Sequence, residues 1–535
     1  MMDDVPHFAS TPWDAMPSPT TMKWVVAVLG SLGVAALAAQ LVAVRLVDGD
    51  YVRERLATEF GGEAVDVAIG EATFSLFARR VEVSDLVVSR ADRGTFVADR
   101  IVATGLPLFG YGRGQAIEVG RLDVERPLFY FHPRRDSVSA RHDVEGREAG
   151  DALRLRDLRI EHGTALAWRP GEAEGPLLVL VRDFEVEGRD VTFDRAGRLT
   201  GSRSGISWRT GPFRRVRTDG LTQVVSDSMQ AVVADSTFRL FGFRFEPTAP
   251  DAEFFDRLDV REDRIRARLP RVEARGFDFD LWPREGMAAR AIQIDSFGID
   301  VLTNRRVPDG PANPWLPHEI VRSFDGRLDV DSLLARGGIE YRDLPAREGT
   351  AAGTIRFDDV VGRISGISNA DGAPPMVLDA TFRLFGAPAE IRVELPLDDD
   401  RFAMRTQGRV GSIDLTRLNS LTIPLEGLEI QGGRLEALRY DVTVEGLIAG
   451  GTVWVAYRGL DVQMVDRRTG EGGLIADVKS FVANTFVLRS DNMPAADDED
   501  GVKPGPVEHV ARADASFFMR LWAPIRSGLM SVTKQ

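Results

Sequence analysis

The chain contains no cysteine among its 535 residues. This absence excludes disulfides, thiolate metal ligands, cysteine catalysis and the acylated cysteine of a lipoprotein. Histidine is also scarce: the six histidines are scattered, and none of them forms a pair with the spacing of metal ligands. An excess of positive charge is missing as well. The formal net charge is −14, which argues against a general nucleic-acid binder.

Catalytic motifs are missing too. In the stretch Gly201–Ser207, the glycines Gly201 and Gly205 have the spacing of the nucleophile-elbow pattern. The stretch fails that pattern because Arg203 occupies the position of the nucleophilic serine. The closely spaced glycines of Phe109–Gly114 lack the lysine and serine of a phosphate-binding loop. The acidic runs Asp398–Asp400 and Asp497–Asp500 predict solvated turns rather than calcium sites. We therefore predict no catalytic residue, no metal and no cofactor, and we expect a protein that is not an enzyme.

One long hydrophobic run is present. Trp24–Val44 contains 21 residues without a charge, which is long enough to cross a bilayer as a helix. The alternative is a cleavable signal peptide that starts at Met22 and has Ala36–Ala38 as its cleavage site. Both interpretations export the rest of the chain. We predict a disordered tail over residues 1–22 and a retained transmembrane anchor over residues 23–47.

Apolar and polar residues alternate with a period of two through most of the chain from Val65 onward, after a short predicted juxtamembrane helix over residues 48–62. Few later segments have a helical pattern, the candidates being Pro317–Phe324 and Leu415–Ser420. The alternation predicts a mostly β fold over residues 63–488. Two arrangements are open: compact sandwiches, or an elongated, curled antiparallel β-sheet that forms an apolar groove.

The C-terminal region differs from the rest. Residues 489–510 are acidic and rich in proline and glycine, which predicts a solvated linker. Residues 511–535 predict an amphipathic basic helix, because four basic residues against one acidic residue give +3 in a chain of −14. Such a helix either lies on an anionic membrane or caps the open end of the sheet. The residues predicted to dock on a membrane are Phe517, Phe518, Arg520, Leu521, Trp522, Ile525, Arg526 and Leu529.

A short phrase recurs along the chain. TFRLFG occurs at Thr237–Gly242 and at Thr381–Gly386, and the near copy TFSLFA occurs at Thr73–Ala78. A catalytic motif usually occurs once, so this recurrence indicates a repeated architecture. We predict that the phrase begins successive strands of a repeated unit.

Further stretches share a pattern of short strand phrases: Ile69–Gly70, Phe74–Phe77, Ile117–Leu122, Gly337–Ser368 and Arg409–Val465. Together with the apolar run, they resemble the AsmA-like family of envelope proteins over roughly residues 24–130 and, more loosely, 317–466. The resemblance implies a taco-shaped β-groove with an apolar interior, anchored in the bacterial inner membrane and lying in the periplasm. It also implies a role in moving phospholipid between membranes or in maintaining the outer envelope.

In such a groove, alternating apolar side chains would shield acyl chains while the headgroups stay in water. The expected partners are phospholipid and membrane, and envelope proteins in the alternative function: a scaffold or outer-membrane assembly factor that carries no lipid. A continuous groove favours lipid transport, and closed, filled cores favour the scaffold. The residues predicted to line the groove are Ile117, Val119, Leu122, Val124, Val442, Val444, Val453 and Val455.

Overall fold

The structure is a computed structural model that describes much of the chain between residues 65 and 533. The described residues are 65–75, 77–90, 94–106, 117–131, 151–168, 177–194, 199–200, 203–217, 219–282, 285–308, 316–324, 326–398, 401–465, 490–493, 502–513 and 515–533.

The fold is mostly β, with 65% of the described residues in strands and 11% in helices, which confirms the predicted class. The strands are β1 (Val65–Ala68), β2 (Glu71–Ser75), β3 (Arg80–Arg90), β4 (Gly94–Thr104), β5 (Ile117–Glu125), β6 (Leu128–Phe131), β7 (Asp151–Trp168), β8 (Leu177–Asp194), β9 (Leu199–Thr200), β10 (Ile206–Thr210), β11 (Phe213–Val216), β12 (Thr222–Ser226), β13 (Ser228–Val232), β14 (Thr237–Pro247), β15 (Arg264–Arg275), β16 (Gly286–Asn304), β17 (Arg327–Leu344), β18 (Gly353–Ser368), β19 (Met376–Leu384), β20 (Ala387–Leu395), β21 (Ala403–Val410), β22 (Ile413–Asp414), β23 (Leu428–Glu445), β24 (Ile448–Met464) and β25 (Pro504–Val510).

The helices are few and mostly short, as predicted. Both predicted internal helices are present, the second continuing past its predicted end. The helical segments are α1 (Asp251–Asp256), α2 (Pro317–Arg322), a 3-10 helix (Leu415–Leu418), α3 (Asn419–Glu426) and α4 (Phe517–Thr533).

The chain divides into two compact units. The first unit contains the described residues up to Phe243 together with those of Glu273–Gly286. The second unit contains Arg244–Val272 together with the described residues from Met287 onward.

In the first unit, the 18-residue strands β7 and β8 form a long antiparallel pair. β5 and β6 lie beside β7 in parallel orientation, which departs from the purely antiparallel sheet that was predicted. Parallel neighbours require a connection of about a dozen residues or more, and residues 132–150 supply that length. Alternate residues of these strands are buried, with Leu122, Leu155 and Phe193 at 0% exposure. The first unit therefore has a closed apolar core.

The second unit contains an antiparallel sheet in which β17, β18, β19, β20, β21, β23, β24 and β25 are successive neighbours. The short strand β22 extends the edge of β23. The C-terminal helix α4 packs mainly against β25 and β24.

The sheet of the second unit is strongly curled. At about 4.8 Å between strands, a flat sheet would separate β17 from β24 by about 29 Å. Nevertheless Phe518 of α4, a helix that lies on β24 and β25, stacks on Tyr341 of β17 with ring centroids 5.5 Å apart. Similarly, α3 contacts both β18 and β23. The sheet therefore wraps around these helices.

The recurring phrase has different structures in its copies, which corrects the prediction that it begins successive strands. Thr237 does begin β14, and Gly242 lies within that strand with a φ of 60°. The later copy instead ends β19, and Phe385 and Gly386, with φ values of 50° and 85°, form the turn to β20. In the earliest copy, Thr73–Ser75 end β2. The glycine of the phrase adopts a positive φ within a strand in one copy and in a hairpin turn in another.

The predicted linker over residues 489–510 is wrong for the part that the structure describes. Pro504–Val510 form β25, and Asn492 is buried and bridges to Tyr457. β25 pairs with β24 alone among the described strands. Its two prolines, Pro504 and Pro506, fit an edge strand, because outward-facing positions there need no N–H partner.

Among the described residues, no helix combines the length and apolar character needed to cross a membrane. The predicted tail, anchor and juxtamembrane helix, residues 1–62, lie outside the part of the chain that the structure describes.

Candidate functional site

One side of the second-unit sheet, the apolar face, carries mostly apolar residues from strand to strand. Residues paired across neighbouring strands project to the same side, so the hydrogen-bond register defines this face. One row of it, from β17 to β23, consists of Leu333, Ile364, Leu378, Val393, Thr406 and Val442. The neighbouring row reaches Val453 on β24, which α4 covers, so the apolar face is the inner side of the curl.

Solvent exposure divides the apolar face into two parts. Val393, Thr406 and Val442 are at most 1% exposed and belong to the covered part on β20 to β24. On β17, β18 and β19 the apolar side chains of the same face are only half-buried. This open part consists of Leu333, Ala335, Ile339, Ile355, Phe357, Ile364, Leu378, Ala380, Phe382 and Leu384.

Helices α2 and α4 lie over the covered part. The ring of Phe402, which directly precedes β21, is 5.7 Å from His318 of α2 and 6.4 Å from Phe517 of α4. Further along, α4 approaches β24 closely because Gly528 lacks a side chain: a Cβ there would lie 2.6 Å from Val453. These contacts exclude solvent from the covered part.

A buried arginine fixes the start of α4. Arg520 is 5% exposed, and its guanidinium donates to the carbonyl oxygens of Gly446 (2.8 Å), Ala515 (3.1 Å) and Ala513 (3.2 Å). It also lies 5.3 Å from the ring centroid of Phe402. The side chain of Arg520 therefore connects α4 to the turn between β23 and β24, and it does not project into solvent.

The other side of the sheet, which we name the charged face, carries cross-strand ion pairs. Arg392 donates to Asp379 at 2.9 Å, and Arg405 donates to Asp441 at 3.1 Å. The hydrogen bond from Arg405 lowers the pKa of Asp441. Such exposed pairs add little stability, but they keep this side hydrated. The sheet thus has one apolar and one wet side, although part of its apolar side is not covered.

The charged face also contains a wide depression of about 800 Å³. Its walls include Arg383, Arg409 and Trp454, and the guanidinium of Arg439 lies 4.4 Å above the indole of Trp454. Small residues such as Ala437 line the depression between these walls. These residues give the depression a contact surface that is partly apolar and partly charged.

A buried polar pair joins β16 and β17 near α4. The hydroxyl groups of Thr303 and Tyr341 are 2.9 Å apart, and burial raises the pKa of Tyr341 to about 12. Burial likewise raises the pKa of Tyr440, on β23, to about 12. Both phenols are therefore held in the neutral form that a partly dry interior favours.

Another buried group joins α1 to the sheet. Arg264 is fully buried and donates to Asp300 at 2.7 Å, with Asp251 of α1 at 3.2 Å. Burial raises the pKa of Asp300, but hydrogen bonds from Arg264 and Arg342 outweigh it and the net pKa is lowered. This network is a structural clamp, since a buried charge needs partners of opposite sign.

Among the described residues of the first unit, one group has the composition of a cation site that sequence reasoning did not find. Oxygen and nitrogen atoms of His162, Asp183 and Glu185 lie within 4.8 Å of one another. All three side chains have other partners: His162 Nδ1 is 2.7 Å from Asp183, and Arg209 donates twice to Glu185 at 2.6 Å. The guanidinium of Arg209 therefore competes with any cation for Glu185.

The structure places the predicted groove-lining residues in protein interiors. Val119, Leu122 and Val124 lie in the closed core of the first unit. The four on β23 and β24 lie in the covered part of the apolar face, and the side chain of Ile117 lies outside the described residues. The seven described residues are 4% exposed or less: Val119, Leu122, Val124, Val442, Val444, Val453 and Val455.

The predicted membrane-docking residues do not form one exposed side of α4. Arg520 and Ile525 are buried against the sheet, whereas Trp522 and Arg526 are exposed. The other four are half-buried: Phe517, Phe518, Leu521 and Leu529. Of the two interpretations of this helix, capping of the sheet accounts for its buried side.

Sequence reasoning did not select the open part of the apolar face. Its residues have the same alternation as the covered part, and Phe382 and Leu384 even belong to the recurring phrase. The pattern alone cannot distinguish an uncovered strand from a covered one, because the cover comes from helices distant in the chain.

The chain matches no protein-family model and no curated protein. The resemblance to the AsmA-like envelope family therefore stays a prediction.

Proposed function

We propose that the protein binds the acyl chains of lipids on the open part of its apolar face. The observation that carries this proposal is the difference in exposure along a single row. Val393 and Val442 are at most 1% exposed, whereas Ile364 and Leu378 in the same row are only partly buried. A soluble domain rarely leaves contiguous apolar surface uncovered unless something binds there.

The chemistry of this face suits a hydrocarbon chain. It presents branched and aromatic side chains without a charged group among them, and Phe357 and Phe382 pack edge to face with centroids 5.4 Å apart. Removing one methylene from water contributes about 0.8 kcal/mol. A sixteen-carbon chain that is half-covered by the face would gain about 6 kcal/mol by this measure. The bound headgroup would stay in water at the rim.

The wider role that we propose is that of a membrane-anchored periplasmic groove protein of a bacterial envelope. It would shield phospholipid during transport between membranes or outer-envelope maintenance. The uncharged run Trp24–Val44 and the AsmA-like stretches support the anchor and the location. The finer prediction of one elongated groove belongs to this proposal.

A second candidate is a scaffold or assembly factor that carries no lipid. It is favoured by the first unit, where residues predicted to line a groove instead fill a closed core. In that case the open part of the apolar face would be covered by a protein.

Neighbouring residues of β19 provide the test. Phe382 belongs to the apolar face, and Thr381 projects to the charged face beside it. A photoreactive phenylalanine analogue is placed at either position in the full chain, irradiated in bacterial membranes, and its adducts are identified by mass spectrometry. Phospholipid adducts at position 382 and not at 381 are expected. Protein adducts alone at position 382 would favour the scaffold, and no adduct at 382 in a folded chain would refute lipid binding there.

A further inference from the structure

Five exposed apolar side chains of the second unit lie beside the start of α4. Ile448 and Val510 are apolar strand residues, yet they are 66% and 70% exposed. Together with neighbouring exposed residues they form a surface that we name the tip. The tip consists of Leu447, Ile448, Val510, Met519 and Trp522.

Backbone contacts place these residues at one end of the sheet. Ile448, the first residue of β24, pairs with Val510, the last residue of β25. The amide of Ala511 donates to the carbonyl oxygen of Leu447 at 2.7 Å. The guanidinium of Arg520 donates to the carbonyl oxygen of Gly446 at 2.8 Å. Because Gly446 lies in the connection between β23 and β24, this hydrogen bond holds the first helical turn of α4 beside that connection.

Helix α4 contributes a second apolar side to this region. At 100° per residue, Met519, Trp522, Arg526 and Met530 lie along one side of the helix, and all of them are exposed. The opposite side, which faces the sheet, contains the buried Arg520, Pro524, Ile525, Gly528 and Val532. The helix is therefore apolar on its buried side and largely apolar on its exposed side as well.

Charge and composition select the occupant. Without the buried Arg520, the segment Ala511–Gln535 still has a net charge of +2 in a chain of −14, so an anionic surface would attract it. Tryptophan and methionine beside arginine are typical of a side chain set at a lipid interface. Glu445 and Glu508 are exposed near the turn, so burial of apolar residues, rather than charge, supplies most of the expected binding.

We propose that the tip and the exposed side of α4 dock on an anionic lipid bilayer. Ile448, Val510, Met519 and Trp522 would enter the interface, while Arg526 would contact lipid phosphates. This differs from the predicted docking set, whose Arg520 and Ile525 are buried. The docking does not require an acyl chain on the apolar face, so either proposal can fail without the other.

The lack of cysteine allows a single label to be placed in the full chain. Ile448→Cys is labelled with a fluorophore and reconstituted in phosphatidylcholine vesicles. In the first arm, a second population of vesicles contains a lipid-linked quencher, with or without one third phosphatidylglycerol. In the second arm, the quencher is in the vesicles that hold the protein. The matched control is Val361→Cys, at a position that is 40% exposed on the charged face.

Quenching at position 448 and not at 361, in either arm and stronger with phosphatidylglycerol, is expected. Adding Trp522→Ser to the labelled chain should reduce that quenching at least threefold, with an unchanged melting temperature because Trp522 is exposed. Absence of quenching in both arms, or equal quenching at position 361, would overturn bilayer docking. Quenching that is independent of phosphatidylglycerol would overturn the anionic preference.

Discussion

The core of the first unit and the open part of the apolar face are built from the same alternating pattern, but only the former is closed. On β5, Val119 and Leu122 are 0% exposed, whereas on β19 Leu378 and Phe382 are only partly buried. In the first unit, apolar sides of strands meet one another. On β17 to β19 the described elements leave that side partly open. The comparison shows that alternation makes a strand, and that packing partners alone determine whether its apolar side becomes a core or a surface.

The largest expected effect concerns the closed core. Phe193→Ala removes a ring that is 0% exposed and should reduce the free energy of unfolding by about 3–5 kcal/mol. The matched variant Phe382→Ala removes a partly buried ring and should cost less than about 2 kcal/mol. Urea unfolding of the full chain measures both. Equal losses would show that the open part is as well packed as the core.

The cover of the apolar face can be loosened at one residue. Arg520→Met deletes three partly buried hydrogen bonds to carbonyl oxygens and should destabilise the attachment of α4 by about 2–3 kcal/mol. Hydrogen exchange should then become faster in α4 and β24. The control on the same helix is Arg526→Met, which loses only an exposed pair with Glu426 and should cost less than about 1 kcal/mol. If both variants leave exchange in α4 unchanged, Arg520 does not hold the helix.

Lipid binding should depend on the side of the sheet. Leu378→Asp places a charge in the open part and should reduce co-purifying phospholipid about tenfold, equivalent to about 1.4 kcal/mol. Val361→Asp adds the same charge to the charged face, where neighbouring side chains are already polar, and should leave phospholipid unchanged. Lipid mass spectrometry after detergent exchange gives the ratio. A similar loss in both variants would attribute the effect to charge rather than to the apolar face.

The smallest effect is expected at high pH, at Tyr341 of β17, on which Phe518 of α4 stacks. The pKa of Tyr341 is about 12 in the folded chain and 10.0 ordinarily. Because the folded value is raised, the neutral phenol contributes stability that is complete below about pH 10 and is lost as the pH rises through 12. At pH 11, midway between these two values, we expect a loss of about 1.4 kcal/mol that Tyr341→Phe abolishes. Tyrosinate absorbance and unfolding measured between pH 9 and pH 12 test this, and an ordinary titration of Tyr341 would contradict it.

Much of the fold could be predicted from residue patterns. The alternation in Leu153–Trp168 predicts a strand, and these residues lie in β7. The C-terminal helix was also predicted, and it extends over Phe517–Thr533. The edge strand β25 could not be predicted in the same way, because Pro504 and Pro506 suggest a linker until a neighbour, β24, satisfies the remaining amides.

The candidate site was predicted less well than the fold. The C-terminal helix was predicted, but which of its sides is buried was not, because α4 buries the charged Arg520 against the sheet. A buried arginine with three carbonyl acceptors has no local sequence signal. Its acceptors include Gly446, which is 74 residues away in the chain.

The sequence by itself determined that this protein is built from strands with one apolar and one polar side, because side chains alternate across a β-strand with a period of two. It also determined that the charged side stays in water. Only the tertiary structure decided that α4 covers Val453 and that Leu378 remains only partly buried. The physical reason is that burial depends on contacts between residues distant in the chain, which no local periodicity specifies.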